Sequence, residues 1–418
     1  MPFIMTVEPK LRPFYIHVVV WGERFRHYLL DYCIPSLLSP LNLPNLKNAK
    51  ENKLLICTPS QDWECIIAHP IFSELCKYAT PVFVEIPPAP PHLSGCQHMG
   101  VGHKLATEIC FQDRAYGIAV TPDLVLSDGT LTYIEKRALE GKHIVFCAAI
   151  RFAEEPFFAH LKKLNLESNE TYNRKTALKL TGPVLVDCAI NSFHSETSSY
   201  DYNAPYYRPN APITLQTIEN EGLLVHSMSW CPLLLDYGAI SQHDTHALEN
   251  WTIDGDYVYR NFEQTQAIDI STDSNDVMLL SWAPLVYNPV KLSSSLLRRY
   301  SKRYNTWFNS MTMRATLQNP IYDPMKIKFF SLPVYWHRLG INAKWMELEK
   351  IFQAQLSRPR NFADTCFVYY VKLLHVFSRI RHFSYISFKA FLGDQDAFLR
   401  IKRKIANLIH RKIQNESR

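Results

Sequence analysis

Residues Tyr116–Thr130, YGIAVTPDLVLSDGT, decide how the rest of the chain is read. Gly117 to Val120 is a short apolar run of the kind that forms a buried strand. Pro122 removes a backbone donor and biases Thr121 toward extended geometry, so the strand is expected to end there. The apolar run resumes as Leu124-Val125-Leu126 and meets Ser127-Asp128-Gly129 ahead of a helical pattern. Asp123 therefore stands just beyond a strand's carboxyl end, where open α/β sheets hold their ligands. Two readings of Asp123 stay open at this level: a carboxylate facing a ligand, or one that caps a turn.

The flanking segments supply the sheet that this strand needs. Tyr15 to Trp21, YIHVVVW, is a near-continuous apolar run ended by Gly22, as a strand buried on both faces should be. A helical pattern follows over Arg24–Leu38 and stops at SPLNLPNL. Lys53–Thr58 and Pro81–Ile86 read as further strands, with Pro59-Ser60-Gln61-Asp62 opening a helix between them. His98–Phe111 and Leu131–Leu139 read as helices, and His143–Ile150 as the next strand. This alternation predicts an α/β fold, a doubly wound sheet with helices on both faces. Beyond Arg151 the pattern loosens. Phe152–Lys179 reads as a charged helix, Gly182–Cys188 as a short strand, Asn191–Ile213 as a long loop and Leu223–Leu235 as strand-like runs. Asp254-Gly255-Asp256 reads as a tight turn beside an aromatic-rich strand.

At 418 residues, 47% hydrophobic and 20% charged, the sequence is that of an ordinary folded protein. Only 13 glycines are present, and neither a P-loop nor a G-x-G-x-x-G pattern occurs. The apolar runs stay short of the roughly 18 residues a membrane span needs, and the N-terminus lacks the pattern of a secretory leader. Ten cysteines without C-x-x-C spacing read as reduced thiols of a cytoplasmic protein. The net charge of +6 hides a division. Residues 291–418 hold 24 Lys and Arg against 7 Asp and Glu, a net of +17, whereas residues 1–290 hold 21 against 32, a net of −11. Two regions follow: an α/β domain at 1–290 and a basic, mainly helical region at 291–418 facing something anionic.

Asp123, Asp254 and Asp256 are the carboxylates in the most suggestive settings, and hard cations such as magnesium or manganese need few such ligands beside substrate phosphates. For Asp254-Gly255-Asp256 the alternative is a plain hairpin turn. Asp273-Ser274-Asn275-Asp276 lacks the glycine and glutamate of a calcium loop and reads as a turn. His103 precedes the opening strand on a helix, while His226 and His246 are isolated candidates for a late metal ligand or a base. No G-x-S-x-G elbow is present. Basic runs at Arg298-Arg299, Lys302-Arg303, Arg379, Arg381 and Lys402-Arg403-Lys404 interleave with apolar residues, as in FLRIKRKIANLIHRKI at 398–413. That is the pattern of a helix lying on an anionic membrane surface, the alternative being a solvated basic face. No nucleic-acid motif accompanies it.

Three quoted patterns, HVVVWGERF (17–25), VTPDLVLSDGTL (120–131) and TIDGDYV (252–258) followed by TDSND (272–276), resemble a glycosyltransferase of the GT-A fold. More closely, they resemble a set of bacterial glycosyltransferase-like proteins, over roughly Phe14–Trp282. The resemblance implies a GT-A-like mixed sheet and a nucleotide-sugar donor on its first strands, held against a divalent metal, manganese or magnesium, by a D-x-D element. By position, Trp21, Gly22 and Thr58 would line the nucleotide, and His103 would face the sugar diphosphate. Thr121-Pro122-Asp123 takes the place of D-x-D with Thr121 where the first carboxylate belongs, leaving Asp123, and His226 as a late ligand, for the metal. Asp254 or Asp256 would be the general base on the acceptor side. The expected activity is transfer of a sugar to a glycan or lipid-linked acceptor in polysaccharide synthesis, with the basic region at the inner face of the cell membrane. A catalytically silent nucleotide- or carbohydrate-binding protein is the alternative. A nucleotidyltransferase is a third reading, for which Glu23-Arg24-Phe25-Arg26 is a poor phosphate loop.

Overall fold

The structure is a computed structural model that describes residues 11–47, 49–90, 93–167, 177–204, 207, 212–249, 251–262, 267–286, 309–314, 317, 329–359, 362–395, 397–398 and 401–402. Its first half alternates strand and helix as the apolar runs require. β1 (Phe14–Val19) leads through α1 (Glu23–Tyr28), a π-turn at Leu29–Cys33 and α2 (Ile34–Leu37) to β2 (Lys53–Thr58). Next come α3 (Ser60–Ile67), α4 (Pro70–Leu75), β3 (Thr80–Glu85), α5 (Gly95–Gln112), β4 (Tyr116–Val120), β5 (Leu124–Leu126), α6 (Thr130–Leu139) and β6 (Ile144–Ala148). The second half adds β7 (Arg151–Ala153), α7 (Glu154–Glu167), α8 (Gly182–Ile190), β8 (Ile213–Ile218), β9 (Gly222–Ser227) and β10 (Trp230–Asp236). It closes with α9 (Gly255–Asn261), β11 (Ile268–Ile270), β12 (Leu279–Ala283), β13 (Val334–His337), α10 (Ala343–Ser357) and α11 (Phe362–Phe391).

The central sheet runs β11-β6-β10-β4-β1-β2-β3. β1 pairs in parallel with β2 and β4, β2 with β3, and β6 with β11, while β10 is antiparallel to both β4 and β6. This is the expected α/β class, a mixed sheet with helices on both faces. Alternation along β1 sends Tyr15, Val19 and the polar His17 toward α5, and Ile16 and Val18 toward the α1–α2 side, so both faces are dry. Two three-stranded sheets flank it: β5-β12-β7 and β13-β9-β8. Trp282 of β12 packs on Tyr28, Phe157 and Phe158, with ring centroids 5.2–5.3 Å apart, and so locks α1 to α7.

Two expectations are corrected. Gly182–Cys188 is helix, not strand: Pro183 sits in the first turn of α8, where its missing N–H costs nothing, and the helix is apolar because it is buried. The aromatic run after Asp254 is likewise helix, α9, with Asp254 as its N-cap. One pairing crosses the expected division at 290/291. β13 returns to pair antiparallel with β9, Val334 opposite Val225 and His337 opposite Gly222, so residues beyond 290 complete a sheet begun before it. Of the basic runs, Arg298-Arg299, Lys302-Arg303 and most of 398–413 lie outside the described residues.

Candidate functional site

The carboxyl ends of β3, β2, β1 and β4 stand side by side along one edge of the sheet. An open cleft of about 660 Å³ lies over the first three. Trp21 and Gly22 form one wall, Pro59–Asp62 the second, and Glu85–Ala89 the third. Gly22 has φ +79°, a left-handed conformation in which a side chain would be strained. Its N–H donates to Asp62 Oδ2 at 3.0 Å, and the same carboxylate pairs with Arg26. Asp62 thereby ties the start of α3 to the start of α1 and holds two walls in register.

Behind the aromatic wall lie three buried histidines. Trp21 packs edge-on against His98 in the first turns of α5, with centroids 4.6 Å apart. One and a half turns later His103 packs edge-on against His17 of β1, at 5.4 Å. His17, His98 and His103 are 0%, 1% and 3% exposed. Both ring nitrogens of His17 and of His98, and Nδ1 of His103, lack a hydrogen-bond partner among the described residues. Burial lowers the pKa of His103 to about 4 and puts His17 well below the usual histidine range, so both rings are neutral at neutral pH. Unfilled buried donors and acceptors are costly, and these three rings hold five such atoms next to the cleft.

At the end of β4, Asp123 is buried, with Arg151 Nη2 3.5 Å from its Oδ2. Arg24, one turn after Trp21, pairs with Glu154 at the start of α7 and donates to the Tyr28 hydroxyl at 2.6 Å. Burial, with Glu154 beside it, pushes the Tyr28 hydroxyl up to about 12, so it stays protonated and donates to that carboxylate. The carboxyl edge thus carries Arg24, Arg26 and Arg151, each held by one acid. At this exposure such pairs stabilise the fold by about 0–1 kcal/mol each. They fix where the guanidiniums sit more than they hold the molecule together.

Among the sequence-derived candidates, Trp21 and Gly22 line the cleft. Thr58 is buried at the foot of its second wall, its hydroxyl unpartnered among the described residues, and His103 lies behind the first wall. Thr121 and Asp123 occupy the neighbouring strand end. His226, expected as a late metal ligand, is fully buried in β9: its Nδ1 donates to the Phe330 carbonyl (2.9 Å), its Nε2 meets Glu349 (3.0 Å), and its ring stacks on Phe352 at 4.0 Å. Both ring nitrogens are in use. Asp254 and Asp256 do not line the cleft. Asp254 Oδ1 accepts from Asp256 N, and Asp256 pairs with Arg260 at 3.2 Å. The other end of α9, Arg260–Phe262, lines a second cavity of about 320 Å³ at the opposite edge of the sheet.

A divalent metal fits this donor set poorly. Asp123 already faces a guanidinium, Thr121 offers no carboxylate, and the described residues hold no cluster of three or more histidine, cysteine or acidic side chains suited to a metal. Sequence reasoning missed Asp62, His17 and Arg151. His17 carried a signal, being the single polar letter inside YIHVVVW.

No protein-family model matches this sequence, and no curated protein matches it. Among solved structures the chain is similar to a Bacillus anthracis protein described as a glucose-1-phosphate thymidylyltransferase, in complex with a sucrose. The match has 12% identity and a TM-score of 0.22, and it covers 34% of this chain and 57% of that one. At that score it carries no argument about function.

Proposed function

We propose that the protein takes a nucleotide-sugar in the carboxyl-end cleft and transfers its sugar to a glycan or lipid-linked acceptor at a membrane face, as a GT-A-like glycosyltransferase. The observation that carries this reading is the cleft walled by Trp21 and Gly22, at the parallel strand ends where open α/β sheets hold ligands. In this reading the base lies along the Trp21 wall. The leaving diphosphate extends past the cleft lining toward the end of β4, to Arg24 and Arg151, whose planar donors suit phosphate oxygens, in place of a metal. Asp123 positions Arg151.

Titration calorimetry with nucleoside diphosphates and their hexose conjugates, in chelator and in manganese, tests the reading. One nucleotide is expected to bind in chelator. Trp21→Ala and Arg151→Ala are each expected to weaken it roughly 10- to 100-fold, the equivalent of one charge-assisted hydrogen bond or one aromatic contact. If no nucleotide binds, or both variants bind as wild type does, the donor-site assignment is wrong.

A silent binding protein of the same fold is the second reading, favoured by the single carboxylate at Thr121-Pro122-Asp123. Slow hydrolysis of the bound donor without acceptor supports the transferase, and its complete absence supports the binding protein.

A further inference from the structure

α11 is a 30-residue helix that leaves many of its described apolar side chains in solvent. Tyr369, Leu373, Phe377, Ile380, Phe388 and Phe391 are all more than half exposed, Phe377 at 64% and Phe391 at 86%. At about 100° per residue these six fall within roughly 100° of arc, one continuous stripe along the helix. Monomeric soluble proteins rarely expose an apolar patch of that extent without a partner for it.

Charge decides between the partners. Residues 362–391 carry Lys372, Arg379, Arg381 and Lys389 against Asp364, and residues 392–418 carry a further 7 basic against 3 acidic groups. A second copy of the helix would bring like charges together and offers no glutamate for ion pairs across the seam. An anionic bilayer neutralises the cations, while its interface accepts the tyrosine and phenylalanine rings. No helix among the described residues is long and apolar enough to cross a membrane, so the contact is along the surface.

We propose that α11 is a membrane-surface helix, which seats its Tyr369–Phe391 stripe in the headgroup layer of an anionic bilayer. The inference stands on α11 alone and survives if the cleft binds no nucleotide.

Flotation of the full chain with vesicles of phosphatidylcholine, with and without phosphatidylglycerol, tests it. Wild type is expected to float only with the anionic vesicles and to be released by high salt. Phe377→Asp with Ile380→Asp is expected to abolish flotation while leaving the circular dichroism unchanged, because both side chains are exposed. Arg381→Gln with Lys389→Gln, which leaves the stripe intact and serves if the first variant does not fold, is expected to weaken binding about fivefold per charge removed. Wild type that stays with the unbound protein in the presence of anionic vesicles overturns the proposal. So does a lipid-free dimer that the Phe377→Asp, Ile380→Asp chain converts to monomer, since the stripe would then belong to a second copy.

Discussion

His17 and His103 meet edge-on between β1 and α5, and burial keeps both rings neutral in the folded chain. Unfolding returns His103 from about 4 to the ordinary 6.5, so below pH 6.5 the unfolded chain binds a proton that the folded chain does not. Stability is therefore full above pH 6.5 and falls as the pH drops toward 4. His103 by itself is expected to remove about 2 kcal/mol between pH 7 and pH 5. Denaturant titrations at the two pH values measure this, and His103→Gln should reduce the difference by about that amount while His17 retains its own share. If wild type and variant lose stability equally, the ring is not neutral in the folded state. At this scale the sequence was a partial guide. The place of Asp123 past a strand end was legible from Pro122, but its partner Arg151 lies 28 residues on and no local signal joins them. The burial of His226 was not legible, because its partners, Phe330 and Glu349, are over 100 residues away.

Elements were legible where a period ran long enough. β1 through β4 and α5 were read within a few residues, because buried parallel strands are continuous apolar runs with turn residues at their ends. The misreadings, α8 and α9, are short segments in which one dipeptide or one apolar run serves two geometries equally well. Gly182-Pro183 can end a strand or open a helix, and Asp254-Gly255 can form a hairpin or a cap. The close seat of α5 was not legible. A Cβ on Gly100 would lie 2.1 Å from the Leu248 carbonyl oxygen, and one on Gly102 would lie 2.6 Å from the Val19 side chain. Gly100→Ala gains about 1 kcal/mol of helix propensity and loses about 1–3 kcal/mol to overpacking against backbone that cannot turn aside. A net destabilisation of up to about 2 kcal/mol is expected in thermal or denaturant unfolding. Gly95→Ala meets open space and should be neutral or slightly stabilising, which makes it the control.

Across the whole molecule, the sheet of β8, β9 and β13 has strands on both sides of the charge division at 290/291. β13 and α10 fold back onto β9, where Phe352 covers His226 and Glu349 holds it. A chain ending at residue 359 keeps that sheet and should retain the thermal midpoint of the full protein while losing vesicle binding. A chain ending at 333 uncovers the edge of β9 and removes Phe352, whose burial is worth about 3–5 kcal/mol, and should be insoluble or unfolded. Solubility and a melting curve for the two chains decide it; equal stability would show that the fold of residues 1–290 does not need β13 and α10.

By itself the amino-acid sequence determined the α/β class, the strands whose carboxyl ends wall the cleft, and the basic character of the last third, because each is written in local periodicity and composition. Only the tertiary structure decided that β13 belongs to an earlier sheet, that His226 is a core residue, that Arg151 meets Asp123 and that α9 faces the other edge. Those facts depend on which segments meet across long loops, and no local pattern encodes a long-range pairing. The stretch around Asp123 shows both sides: its strand end was set by a proline, and its chemistry by an arginine from another sheet.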